Sequence, residues 1–90
     1  MKIVPTTEGP GTHKTGQLNS MTVARINEIL GFTPNVDDDP FKVKYSWQFL
    51  VDGELCAVWD WKGSHSFGQF STYGPCSKLI EVFGNSYSSY

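Results

Sequence analysis

Residues 43–61 read Val-Lys-Tyr-Ser-Trp-Gln-Phe-Leu-Val-Asp-Gly-Glu-Leu-Cys-Ala-Val-Trp-Asp-Trp, and the fold depends on how this stretch pairs with itself. Val43, Tyr45, Trp47, Phe49 and Val51 alternate with mostly polar residues, the period-2 pattern of a strand with one buried face. Asp52-Gly53 follows at once. That dipeptide signals a hairpin because the turn needs positive φ, which glycine accepts without steric cost. Leu55–Trp61 then returns as a second strand, and this one unit holds all three tryptophans of the chain.

The turn decides which side chains share a face. A two-residue turn pairs Val51 with Glu54, Phe49 with Cys56 and Trp47 with Val58. A three-residue loop pairs Trp47 with Ala57 and Tyr45 with Trp59, sending every side chain of one strand to the opposite side. The two-residue turn is the preferred reading. It gathers Trp47, Phe49, Cys56 and Val58 into a compact core face, and it sets Trp59 and Trp61 with Lys44, Ser46 and Gln48 on a second face suited to binding.

Outward from the hairpin, residues 22–30 read as a short helix, with Val23, Ile26, Ile29 and Leu30 at helical spacing. Ser20 or Thr22 can cap its start and Gly31 fits just past its end. Residues 62–68 lead from the hairpin to a third strand, Gln69 to Tyr73. Gly74-Pro75 opens a second helix, Cys76 to Phe83, whose apolar stripe is Cys76, Leu79, Ile80 and Phe83. The expected fold is α+β: a small antiparallel sheet of about three strands with two short helices on one face. Ninety residues suit a single domain over 1–90. Residues 1–19 form a Gly/Pro/Thr-rich arm, mobile or extended, in which His13 and Lys14 could touch a ligand or a neighbouring subunit. Residues 85–90 form a polar tail, frayed or engaged in an oligomer contact.

Aromatics make up 14% of the chain and charged residues only 18%, a balance that fits broad contact surfaces. A short chain buries a limited core, so a homo-oligomer, a dimer or tetramer, is expected. The net charge of −2 argues against general DNA binding, which draws on neutralised phosphates. No apolar stretch approaches the ~20 residues that span a bilayer, and Met1–Val4 meets Pro5 with no apolar signal core, so a soluble, intracellular protein with no membrane partner is expected. Cys56 and Cys76 lack a metal-ligand spacing and read as buried thiols. Asp37, Asp38 and Asp39 lack the spacing and glycine of a calcium loop and read as a solvated turn. No metal and no cofactor is expected.

The case for catalysis is poor. No Gly-x-Ser-x-Gly elbow is present, and His65 between Ser64 and Ser66 makes no nucleophile–base pair, because sequence neighbours project apart. Asp60 reads as a loop-ordering carboxylate that accepts backbone amides. Small-anion binding has better support. Lys62-Gly63-Ser64 combines an ammonium, an open backbone and a hydroxyl in one loop, a setting for an anion nest. Ser71 and Thr72 stand near the start of the second helix, another place for a phosphate. Trp59, Trp61 and Tyr73 can stack on a base. Together these point to a nucleotide.

The motifs Trp47-x-Phe49, Asp52-Gly53, Cys56-Ala57-Val58-Trp59-Asp60-Trp61-Lys62-Gly63-Ser64 and Ser71-Thr72-Tyr73-Gly74-Pro75 resemble a group of small bacteriophage proteins over roughly residues 22–84. They look most like viral sponges of the anti-CBASS type. The resemblance implies a non-enzymatic counter-defence protein that sequesters a small, cyclic nucleotide signal in the host cytoplasm. The alternative is a protein–protein inhibitor of a host defence complex, such as an anti-CRISPR. A nucleotide hydrolase with Asp60 or His65 as general base is the enzymatic rival.

Overall fold

The computed structural model describes residues 1–7, 13–36 and 43–89. Its elements in chain order are β1 (Ile3–Pro5), β2 (Gly16–Leu18), α1 (Val23–Leu30), β3 (Ser46–Val51), β4 (Glu54–Trp59), a 3-10 turn (Ser64–Phe67), β5 (Phe70–Tyr73), α2 (Cys76–Phe83), a second 3-10 turn (Gly84–Ser86) and β6 (Tyr87–Ser89). The acidic run at 37–39 lies outside the described residues.

Asp52 and Gly53 take φ of 50° and 84°, the pair of positive values that a two-residue hairpin turn needs. The register follows: Val51 faces Glu54, Phe49 faces Cys56 and Trp47 faces Val58. Helix α1 is capped by the Thr22 side chain, which accepts the Arg25 N–H, and it ends on Gly31 in the left-handed region.

The sheet corrects the expectation of about three strands. Among the described residues it has six, in the order β1-β3-β4-β5-β2-β6, and every described pairing is antiparallel. The three additional strands are each three residues long and come from the arm and the tail. β1 lies along the outer side of β3, where Pro5 is tolerated because an edge strand need not donate every N–H. β2 runs between β5 and β6. This insertion requires a glycine at position 16. A Cβ there would come within 2.7 Å of the Ser88 carbonyl oxygen and 2.8 Å of the Tyr87 ring.

One face of the sheet carries the core. Leu18, Trp47, Phe49, Val51, Cys56, Val58, Phe70 and Tyr87 pack with Ile26 and Leu30 of α1 and Leu79 and Phe83 of α2. The Trp47 indole N–H donates to Asn27 Oδ1 at 3.0 Å, tying α1 to the centre of the sheet. Two expectations need correction here. Ile80 is 50% exposed, so the buried stripe of α2 is Leu79 and Phe83. Cys76 is exposed while Cys56 is buried. Cys76 opens α2 immediately after Pro75, so the helix turns its inner face to the sheet only from Leu79 onward. Among the described residues no helix is long and apolar enough to cross a membrane.

Candidate functional site

Among the described residues the other face of the sheet carries neither α1 nor α2 and is built by strand alternation. Cross-strand pairing sets Ser46 beside Trp59, Trp59 beside Ser71, Ser71 beside Gln17 and Gln17 beside Ser88. These five residues form one row across β3, β4, β5, β2 and β6. A cleft of about 550 Å³ opens over the middle of the row, lined by Lys14, Gln17, Trp59, Trp61, Ser64, Gln69, Phe70 and Ser71. That volume lies in the range of small-molecule sites. Lys14 is the one cation among these residues, and none of them carries a carboxylate.

The loop after β4 forms one wall of the cleft, and Asp60 holds that loop. Its side chain is fully buried. Oδ1 accepts the N–H groups of Lys44 and Tyr45 at 2.8 and 2.7 Å, and Oδ2 lies 2.8 Å from His65 Nδ1. The His65 ring meets Tyr45 edge-on at 5.0 Å between centroids. Ser64 closes the loop on itself: its hydroxyl accepts the Trp61 N–H at 3.0 Å and donates to the Gln69 carbonyl at 2.7 Å. The Ser64 N–H in turn donates to the Trp61 carbonyl. The geometry therefore fixes Trp61 and Ser64 relative to β4.

Five of the residues singled out by sequence, Lys14, Trp59, Trp61, Ser64 and Ser71, come together in the cleft. The others do not. Lys62 is exposed, with its Nζ 5.8 Å from the centroid of the Trp61 ring. Gly63 precedes the 3-10 turn with φ of 82°, and its carbonyl accepts both the N–H and the hydroxyl of Ser66. Thr72 is fully buried on the helix-bearing side, opposite Val58 and Gly16. Alternation in β5 separates it from Ser71, so the two hydroxyls cannot serve one phosphate. The start of α2 lies past the far end of β5, roughly 10 Å of strand from Phe70 at about 3.3 Å per residue. The loop after β4 and the α2 terminus are therefore distinct places.

Tyr73 lines a second groove, of about 470 Å³, with His13, Thr15, Glu54, Leu55, Gly74 and Pro75. The His13 and Tyr73 rings meet edge-on at 5.3 Å. Tyr73 faces Ala57, two residues along from the Trp59–Ser71 pair, which makes it a diagonal neighbour of Trp59 on the helix-free face. The sequence does not single out Gln17 or Gln69, and it offers Lys14 only as a residue of a mobile or extended arm that could touch a ligand or a neighbouring subunit. The single usable signal was the polar Gln17 between Gly16 and Leu18, too short a run to reveal a strand.

Among the described residues no group of three or more His, Cys, Asp or Glu side chains could hold a metal ion. Comparisons with protein-family models, with curated proteins and with solved structures each return no match.

Proposed function

We propose that the protein binds a small nucleotide in the cleft over β4, β5 and β2 and holds it without altering it. The observation that carries this reading is the presence of two indoles, Trp59 and Trp61, and one ammonium, Lys14, around a single cleft. Stacking of a base on an aromatic side chain is worth ~1–3 kcal/mol, and an ammonium beside it favours a phosphate. Holding is preferred to cutting because the Ser64 hydroxyl donates within its own loop, while His65 binds Asp60 through Nδ1 and is not among the cleft-lining residues. A cyclic nucleotide signal, captured in the cytoplasm of an infected host by a homo-oligomer, is the ligand and setting that the resemblance to viral sponges adds.

The test is retention and recovery. The protein is incubated with AMP, GMP, cyclic AMP, cyclic GMP and the cyclic dinucleotides of adenine and guanine, then washed, denatured and chromatographed. Recovery of intact nucleotide supports the reading. A chemically altered nucleotide replaces it with the hydrolase. Retention of none of the panel overturns it in favour of the protein-inhibitor alternative, which Phe67, 81% exposed beside the cleft loop, specifically favours.

A further inference from the structure

How a base would sit in the cleft, if the nucleotide reading above holds, follows from one row of side chains. Trp59, Ser71 and Gln17 occupy consecutive positions of one cross-strand row, and all three line the cleft. Ser71 is the smallest of them and is buried at 6% exposure, so it forms a floor with a large side chain on either side. The backbones that carry Trp59 and Gln17 are two strand spacings apart, about 9.5 Å, so a slot floored by Ser71 lies between the two side chains.

Gln17 brings hydrogen-bonding capacity to this slot. Its Nε2 donates to Asn19 Oδ1 at 2.8 Å. That bond orients the carboxamide and leaves it one N–H and Oε1, a donor and an acceptor on one planar group. Such a pair matches the adjacent donor and acceptor on a nucleobase edge. Inorganic phosphate has no ring to stack on Trp59, and a plain aromatic anion has no donor beside its acceptors.

We propose that a purine or pyrimidine base stacks on the Trp59 indole over Ser71, the floor of the slot, and turns its hydrogen-bonding edge toward the Gln17 carboxamide. Ser71 and Gln17 are then the specificity-determining residues of the site.

The experiment measures binding of the nucleotide panel and of inorganic phosphate by calorimetry, on the parent and three variants. Ser71→Val raises the floor in a residue type that strands favour. Gln17→Phe fills the slot from its far wall while leaving the floor native, so a folding defect in one variant does not remove the test. Gln17→Leu keeps the volume and deletes the polar edge. The expected result is at least a tenfold loss for Ser71→Val and Gln17→Phe, a two- to tenfold loss for Gln17→Leu, and no binding of phosphate alone to the parent. Parent-like binding by both slot-filling variants overturns the slot and leaves the nucleotide reading standing. A parent that binds phosphate as well as any nucleotide overturns it too. A parent that binds none of the panel overturns both.

Discussion

Oδ2 of Asp60 lies 2.8 Å from Nδ1 of His65 while Oδ1 receives the Lys44 and Tyr45 amides, so one buried carboxylate joins the lead-in to β3 with the 3-10 turn beyond β4. Replacing Asp60 by Ala leaves two amides and an imidazole without their acceptor. Hydrogen bonds to a charged group contribute about 1.5–3 kcal/mol each, and a loss on the order of 3 kcal/mol or more is expected in urea melts. His65→Ala removes one of the three donors from a partly exposed position and should cost about 1.5 kcal/mol, the low end of that range. Equal losses in the two variants would show that Asp60 acts through His65 alone.

The core prediction separates two apolar residues that sequence alone treats alike. Phe49 is fully buried and Ile80 is half exposed. Phe49→Ala should cost ~3–5 kcal/mol, while Ile80→Ala should stay within about 0.5 kcal/mol of the parent. An unchanged melting temperature for Phe49→Ala would place the core elsewhere.

The two thiols should react at different rates. Burial pushes the Cys56 thiol up to about 11, with the Glu54 charge adding to the effect, so it is a poor nucleophile at neutral pH. Cys76 is exposed. A thiol reagent at neutral pH should label one cysteine per native chain, located to Cys76 by peptide mapping, and the second only in denaturant. Prompt labelling of both would contradict the placement of Cys56 beneath the sheet.

Acid should weaken the tie at the hairpin turn. The Asp52 carboxylate accepts the Lys2 N–H at 2.8 Å and the Lys78 ammonium at 3.1 Å. These bonds hold its pKa below the ordinary value, the Lys2 amide first and Lys78 second. A carboxyl so lowered stabilises the fold above its unfolded-state pKa, and the contribution is lost as pH falls through the folded value. Lys78 is raised, chiefly by its bond to Asp52. Its share is present below the ordinary lysine range and is lost as pH rises through the raised value. Asn suits a turn before glycine, so Asp52→Asn isolates the charge. The variant should be less stable than the parent at neutral pH, and the gap should close as acid protonates Asp52. A gap that is constant with pH would refute the linkage.

Lys14 and Lys62 should differ in binding. Lys14 lines the cleft and Lys62 lies against the Trp61 ring. Lys14→Ala should weaken nucleotide binding at least tenfold and flatten its salt dependence, because one ionic contact is gone. Lys62→Ala should change affinity less than threefold. The reverse order would move the phosphate to the loop after β4.

What could be read from the sequence was local. The hairpin announces itself by alternation and by Asp52-Gly53, and both helices by their spacing and their Thr22, Gly31 and Pro75 boundaries. β1, β2 and β6 could not be found in this way. Each has three residues, and Pro5 and Gly16 argue locally against a strand. Their stability comes from partners far along the chain: Leu50 for Val4, and Ser71 and Ser88 for Gln17. The site divides along the same line. Trp59, Trp61, Ser64 and Ser71 lie on or beside elements that sequence pattern reveals. Lys14 and Gln17 reach the cleft because β2 inserts between β5 and β6, a pairing set by tertiary packing.

The three indoles occupy a graded series of environments: Trp47 enclosed and hydrogen-bonded to Asn27, Trp59 half-buried, Trp61 46% exposed. The protein's intrinsic emission is therefore a composite of three emitters with different access to solvent. A soluble collisional quencher such as iodide meets Trp61 first and Trp47 only when the core opens. The blue-shifted component becomes a gauge of the intact fold, and the quenchable red-shifted component a gauge of the cleft mouth. With no dye attached, one spectrum can separate an event at the helix-free face from loss of the structure beneath it.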